Sequence, residues 1–206
     1  MLFLAASAFA TPALFAADEF QPIFDGTTLG GWEGNKEIFR VENGAIVAGS
    51  LKNRIKHNEF LCTTREYKNF ELQLKCKLVG EGTNAGIQFR SARIPNEFEV
   101  IGYQCDVGSE GGSLIWGELY DESRRRRSLA VGDQAMLKKV VKPNDWNIIQ
   151  VRCEGDRIQI SVNGLKTVDY REKDPKIPQR GVIGLQIHGG KPAEASYKDI
   201  RIKELK

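Results

Sequence analysis

Apolar and polar positions alternate with a period of two along most of this chain. In residues 98–107, Ile101, Tyr103, Cys105 and Val107 form one set, and Val100, Gly102, Gln104 and Asp106 form the other. Successive side chains of a strand point to opposite faces, so one set fills a core while the other lines a second surface. Residues 85–90 divide in the same way, Ala85, Ile87 and Phe89 against Gly86, Gln88 and Arg90. Residues 183–188 repeat the pattern, with Ile183, Leu185 and Ile187 opposed to Gly184, Gln186 and His188. An ordinary solvated face looks like Glu71, Gln73, Lys75 and Lys77. Glycine, glutamine, arginine, aspartate and histidine gathered on non-core faces describe a recessed polar binding surface instead.

Turn signals separate these runs. Asn43-Gly44 and Asn163-Gly164 each sit between short β-type segments, and Asn-Gly is the favoured two-residue hairpin turn because both residues tolerate positive φ. Further strands are expected at 59–63, 70–78, 113–120, 146–153 and 195–205. Residues 121–127 and 171–178 read as loops or single helical turns. No segment after Phe20 sustains a 3.6-residue period. About a dozen short strands with turns between them predict an all-β, two-sheet antiparallel sandwich in one domain spanning 18–206.

Residues 1–17 carry no charge, consist mostly of Ala, Leu and Phe, and end in Ala16-Ala17 before Asp18-Glu19. They read as a secretory signal cleaved near Ala17, which places the mature protein in the periplasm or outside the cell. The stretch is short of the about 20 apolar residues a membrane span needs, and no second one follows. With 30 basic and 27 acidic residues the net charge is +3, which gives no electrostatic case for nucleic acid or an anionic membrane as partner. The Arg124–Arg127 run follows Asp121 and Glu122 and lacks interleaved aromatics, so it reads as a solvated loop, one arginine of which can reach a nearby sugar site. Cys62, Cys76, Cys105 and Cys153 all fall in expected strands. Buried free thiols are the default reading, export would permit disulfides in any of three pairings that the sequence cannot separate, and no CxxC spacing marks a structural zinc site.

Several segments, in order, resemble the 3-keto-disaccharide hydrolase family. They are Pro22-Ile-Phe-Asp-Gly-Thr-Thr-Leu-Gly-Gly-Trp32, Tyr67-Lys-Asn-Phe-Glu-Leu72, Asn84-Ala-Gly-Ile-Gln-Phe-Arg90 and Gly102-Tyr-Gln-Cys-Asp-Val-Gly108. The match continues through Trp116-Gly-Glu-Leu-Tyr-Asp-Glu-Ser-Arg124, Trp146-Asn147, Gly184-Leu-Gln-Ile-His-Gly189 and Ile200-Arg-Ile-Lys-Glu-Leu205. The resemblance implies a concanavalin-A-like jelly-roll whose concave sheet handles carbohydrate. It also implies cleavage of glycosides already oxidised at C3, by 1,2-elimination and rehydration. Many relatives carry Glu where Gln104 stands. A neutral amide is no base, so Asp106 or Glu118 must be considered in its place.

Such chemistry needs a base for the C2 proton, an electrophile for the enolate oxygen and an acid for the leaving group. His188, one of two histidines, is the natural base; His57 lies in a polar stretch and reads as a loop residue. Asp106, Glu118 and Tyr120 are candidate acids or hydrogen-bond donors. Gln88, Arg90, Gln104, Trp116 and Gln186 are candidate substrate contacts, Arg90 toward the ketone and Trp116 against a sugar ring. Carboxylate plus imidazole also suits a divalent cation held by Asp106, Glu118 and His188. These residues are all expected on one concave face. A non-catalytic, lectin-like domain using the same groove is the competing expectation. Neither a GxSxG elbow nor a Gly-rich phosphate loop is present in the sequence.

Overall fold

The computed structural model describes residues 19–206; the proposed signal, 1–17, lies outside the described residues. In chain order the strands begin with β1 (Gln21–Pro22), β2 (Trp32–Glu33), β3 (Phe39–Glu42), β4 (Ala45–Ser50), β5 (Glu59–Tyr67), β6 (Phe70–Gly80), β7 (Asn84–Arg93) and β8 (Val100–Glu110). Next come β9 (Ser113–Leu114), β10 (Leu119–Glu122), β11 (Ser128–Ala130) and the single described helix, α1 (Gln134–Val140). The chain ends with β12 (Asn147–Glu154), β13 (Arg157–Val162), β14 (Leu165–Arg171), β15 (Gly181–Ile187) and β16 (Ala193–Glu204).

Two antiparallel sheets form a jelly-roll sandwich. The first runs β14-β13-β12-β6-β16-β4-β3, with β1 added to β16; the second runs β11-β10-β8-β7-β15-β5-β2, with β9 added to β8. The expected apolar sets meet between them. Phe70, Leu72, Leu74 and Cys76 of β6 face Ile87 and Phe89 of β7, Tyr103 and Cys105 of β8, and Leu185 of β15 in one core. Both Asn-Gly turns form. Asn43 and Gly44 have φ of 50° and 74°, and Asn163 and Gly164 have 50° and 84°, the double positive φ of a type I′ hairpin turn. All four cysteines are buried free thiols. Burial pushes Cys62 up to about 11 and Cys153 up to about 12.

Two irregularities shape the second sheet. The β7–β8 register slips between Phe89 and Ala92, where Arg90 takes a φ of 48°. An extra residue of this kind bends a strand and raises its twist. Beyond the bulge the β7–β8 hairpin leans across the outer face of its own sheet. Val100 packs on Phe60, Cys62 and Val182. The Phe98 ring stacks on His57 at 3.6 Å between centroids, and Asn58 Nδ2 donates to Glu99 Oε1 at 3.0 Å. The second irregularity is a turn between β9 and β10. Glu118 N donates to Ile115 O at 3.0 Å and Gly117 takes a φ of 72°. The strand expected over 113–120 is therefore two strands with a change of phase between them. Helix α1 buries only Leu137, so no amphipathic stripe announces it; the Asp133 side chain caps it by accepting from Met136 N at 2.9 Å.

Candidate functional site

Register decides which expected residues share a face. Tyr120 lies opposite Gln104, Gln104 opposite Gln88, and Gln88 opposite Gly184. The next row runs Asp106, Gly86, Gln186, Phe60. His188 is two residues beyond Gln186 and continues the pairing through its N–H to Asn84 O. Gln88, Gln104, Asp106, Tyr120, Gln186 and His188 thus project from the outer face of the second sheet. The leaning hairpin walls one side of this surface.

Glycines make room for the polar side chains. A Cβ at Gly86 would sit 2.5 Å from Gln104 Cδ. In that space a hydrogen-bonded chain forms: Ser91 Oγ to Gln88 Oε1 at 2.8 Å, Gln88 Nε2 to Gln104 Oε1 at 2.6 Å, and Gln104 Nε2 to Asp106 Oδ1 at 2.6 Å. Burial pushes the Asp106 carboxyl well above the usual carboxylate range. The Gln104 hydrogen bond opposes that shift, and Glu118, Glu122 and Glu110 add to it. Burial likewise raises Glu118, and raises Tyr120 with help from Glu122 and Asp106. Burial and neighbouring acids thus favour the neutral, hydrogen-bond-donating forms of all three groups.

Unpartnered atoms also concentrate here. Both amide atoms of the fully buried Gln186, Asn84 Oδ1 and Glu99 Oε2 lack protein partners. Asp121 Oδ1 and Arg124 Nη2, which likewise lack a hydrogen bond, form an ion pair with each other at 2.7 Å. Buried polar groups are normally satisfied, so orphans clustered on one face mark where a polar ligand or water belongs. A cavity of about 430 Å³ opens at the His188 end, lined by Asn84, Ser109, Glu110, Glu81 and Lys191. A larger cavity of about 650 Å³ lies on the outer face of the first sheet. Its polar groups are already paired, Lys75 with Asp199 at 2.8 Å and Arg201 Nε with Gln73 at 2.9 Å, so it makes no comparable demand for a ligand.

Two expected contacts fall elsewhere. Arg90 leaves the outer face at the bulge and bonds Lys68 O at 2.9 Å, Gly155 O at 2.8 Å and Asn69 Oδ1 at 3.3 Å, clamping loops at one end of the sandwich. Trp116 is buried in the core because the turn at Ile115–Glu118 resets the alternation. A single phase of alternation carried through both breaks puts Arg90 and Trp116 on the outer face, and the breaks remove them from it. Glu118 keeps its backbone beside Asp106 through Asp106 N to Glu118 O at 3.0 Å, while its carboxylate accepts from Ser128 Oγ. His188 is exposed, shares its cavity with Glu110 rather than Asp106, and donates from Nδ1 to Gly189 O at 2.7 Å. Among the described residues, no three His, Cys, Asp or Glu side chains gather in metal-binding geometry. Of the arginine run, Arg124 and Arg125 pair with Asp121, and Arg125 also pairs with Glu172.

Glu122 and Glu99 were not singled out from the sequence. Burial raises Glu122, Glu99 raises it further, and His188 acts in the opposite direction. Glu122 continues the Tyr120 alternation and was legible had the strand been carried two residues further. Glu99 and Asn58 sit at a strand edge and in a loop, where no periodicity points to them.

The two antiparallel sheets define a jelly-roll sandwich whose second sheet has a polar outer face. The chain belongs to the 3-keto-alpha-glucoside-1,2-lyase-like domain family, whose model matches residues 19–203. No curated protein matches it. Among solved structures it is similar to a "putative glycosyl hydrolase" from Parabacteroides distasonis, at 17% identity and a TM-score of 0.67, covering 91% of this chain and 94% of that one. It is also similar to the carbohydrate binding module CBM66 from Bacillus subtilis, at 14% identity and a TM-score of 0.63, covering 84% and 96%. The exoplasmic/lumenal domain of VIP36, in a Ca2+/Man3GlcNAc-bound form, is similar at 11% identity and a TM-score of 0.63, covering 92% and 91%. At these identities the three establish the fold.

Proposed function

We propose that this protein cleaves 3-keto-glycosides by 1,2-elimination on the outer face of the second sheet, and rehydrates the product. One observation carries the reading: in a chain of this family, a buried carboxyl whose surroundings favour its protonated form, Asp106, shares a polar face with an exposed imidazole, His188. The two lie two strands and one residue pair apart, about 10 Å across the sheet and about 7 Å along it, or about 12 Å between backbones at the usual strand dimensions. A sugar ring and its glycosidic oxygen fill such a gap.

The C3 ketone acidifies the C2 hydrogen. His188 Nε2 takes that proton, the C1–C2 double bond forms, and the C1–O bond breaks with its electron pair going to the departing oxygen. Asp106 supplies that oxygen with its proton. Water then adds to C1 and gives its proton to the Asp106 carboxylate, while C2 regains a proton from the imidazolium, so both groups return to their starting states. Gln88, Gln104, Gln186 and Tyr120 bind sugar hydroxyls and the developing enolate.

The test is an assay of the purified protein on a 3-keto-glucoside, with exchange of the C2 hydrogen for solvent deuterium followed by NMR. Turnover with exchange supports the reading. A second reading, carbohydrate binding without catalysis, is favoured by the absence of any hydrogen bond joining His188 to a carboxylate among the described residues. Binding of unoxidised sugars with no turnover of the 3-keto substrate selects it. Export forms part of the proposal, and sequencing the N-terminus of the secreted protein checks cleavage near Ala17.

A further inference from the structure

The imidazole of His188 is not free to choose its tautomer. Its Nδ1 lies 2.7 Å from Gly189 O, and a carbonyl only accepts, so Nδ1 carries the hydrogen and Nε2 the lone pair. The same peptide segment is held from the other side. Gly189 N donates to Asn58 Oδ1 at 3.0 Å, and Asn58 Nδ2 donates to Glu99 Oε1 at 3.0 Å. Both functional atoms of the Asn58 amide are thereby used. The contact is close: a Cβ on Gly189 would meet the His57 backbone at 2.8 Å. The loop before β5 is fixed further by the pairing of Ile55 with Gly190, N to O at 3.2 Å in one direction and 2.8 Å in the other. The His57–Phe98 stack joins it to the leaning hairpin.

We propose that Asn58, oriented by Glu99, is the positioning residue of His188: it anchors the His188–Gly189 peptide while Ile55 O holds the next one through Gly190 N, and Gly189 O is thereby kept against Nδ1, so that the imidazole stays the Nδ1–H tautomer with Nε2 free to accept a proton. The catalytic meaning rests on the elimination reading above, but the positioning itself does not. The arrangement parallels the general rule that the hydrogen bond made by one ring nitrogen sets the state of the other. Glu99 Oε2 remains buried and unpartnered on the same wall, available to a ligand hydroxyl. Four charged groups surround the imidazole: Glu110, Glu81 and Lys191 around the cavity, and Glu122 across the face.

The experiment is ring-nitrogen NMR on the full chain labelled with ¹⁵N-histidine, at a pH where the imidazole is neutral. His188→Gln assigns the signals against His57. The wild type is expected to show Nδ1–H with a bare Nε2, and Asn58→Ala a mixture or the opposite tautomer. Glu99→Gln keeps an acceptor for Asn58 and is expected to retain the wild-type pattern, whereas Glu99→Ala loses it. Gly189→Ala, which forces the peptide off Asn58, is expected to behave like Asn58→Ala and decides the matter if that variant does not fold. On a 3-keto-glucoside, Asn58→Ala should lower kcat by about tenfold or more with KM little changed, a part of what general-base catalysis contributes. An unchanged tautomer in Asn58→Ala and Gly189→Ala overturns the proposal. A wild type that turns over no 3-keto-glucoside overturns the elimination reading and leaves the NMR result standing.

Discussion

Gln104 donates a 2.6 Å hydrogen bond from Nε2 to Asp106 Oδ1, tying a neutral amide to the most strongly perturbed carboxyl of the outer face. The bond favours the ionised form of Asp106, yet burial and the neighbouring glutamates outweigh it. Glutamine at this position thus supplies no base; it orients an acid. The wider chain, Ser91 to Gln88 to Gln104, fixes the direction in which each amide points, because the Ser91 hydroxyl donates into one end and the carboxyl accepts at the other.

Asp106→Asn is expected to reduce turnover by about 10²–10⁴-fold, the usual contribution of a general acid. It should leave stability unharmed at neutral pH. The folded-state pKa of Asp106 lies above its ordinary 3.8, so its stabilising contribution is complete below that value and is lost as pH rises through the folded pKa. The melting temperature of Asp106→Asn should therefore match or exceed the wild type at pH 7 and fall closer to it at pH 4. A variant clearly less stable than the wild type at pH 7 contradicts the raised pKa.

Most of the fold was legible because period-two alternation survives wherever both sheets pack on one core. Cys76, Cys105 and Cys153 lie inside with the sets to which the sequence assigned them, and both Asn-Gly turns close their hairpins. The site was legible along the regular parts of β7, β8 and β15. It failed at Arg90 and Trp116, where a bulge and a four-residue turn change the phase of alternation; Gly117 was the one sequence signal of the turn, and no glycine or proline marks the bulge at Arg90. Asn58 and Glu99 were invisible for a different reason. Their roles come from the leaning of one hairpin onto a distant loop, a tertiary contact with no local periodicity.

Glu172 closes the β10 side of the sandwich. It accepts from Tyr103 Oη at 2.6 Å and pairs with Arg125 at 2.6 Å. Burial by itself would raise this carboxyl, but Arg125 and Tyr103 together hold it down at about 2. A depressed pKa contributes stability above the ordinary 4.5 that is lost as pH falls through about 2. Glu172→Gln should lower the melting temperature at pH 7 and flatten its decline between pH 4.5 and 2. Parallel acid titrations of the two proteins give the comparison; equal slopes contradict the role given to the network.

Tyr197 reaches across the core from β16 to the backbone beneath the site, its hydroxyl 2.5 Å from Gln186 O and 3.2 Å from Gly86 O. Tyr197→Phe keeps the ring and removes one hydrogen bond, a loss of about 1 kcal/mol in urea unfolding. Because Gly86 and Gln186 share one row with Asp106, substrate affinity should weaken as well. An unchanged unfolding midpoint would show that the hydroxyl contributes nothing.

The face carries Glu99, Asp106, Glu110, Glu118 and Glu122 against few cations, and the carboxyls of Asp106, Glu118 and Glu122 are raised by burial and by other acids around them. An anionic sugar entering this surface loses solvation and meets like charge. Uronate or phosphorylated 3-keto-glycosides should therefore bind much more weakly than neutral ones, and the difference should shrink as salt screens the face. Competition by neutral and anionic analogues at two ionic strengths measures it. Equal inhibition at low salt argues that ligands bind elsewhere.

Gly86→Ala separates the hydrogen-bonded chain from the fold. Gly86 has no positive φ that would forbid alanine, and the atoms its Cβ would strike are Cδ, Cγ and Oε1 of Gln104, at 2.5–2.7 Å. These belong to the far part of a flexible side chain, so the amide is expected to swing aside while the strand stays in register. Asp106 then loses the one hydrogen bond that favours its ionised form, and its pKa should rise further. The acidic proton becomes less available and the amides lose their fixed direction. Turnover should fall, while the melting temperature changes far less than it would for a substitution that meets backbone, such as Gly189→Ala, whose Cβ meets the His57 chain at 2.8 Å. The pH–rate limb assigned to the acid should move upward in Gly86→Ala. If that limb and the rate both remain at wild-type values while a crystal structure shows Gln104 displaced, the amide chain has no part in setting the acid.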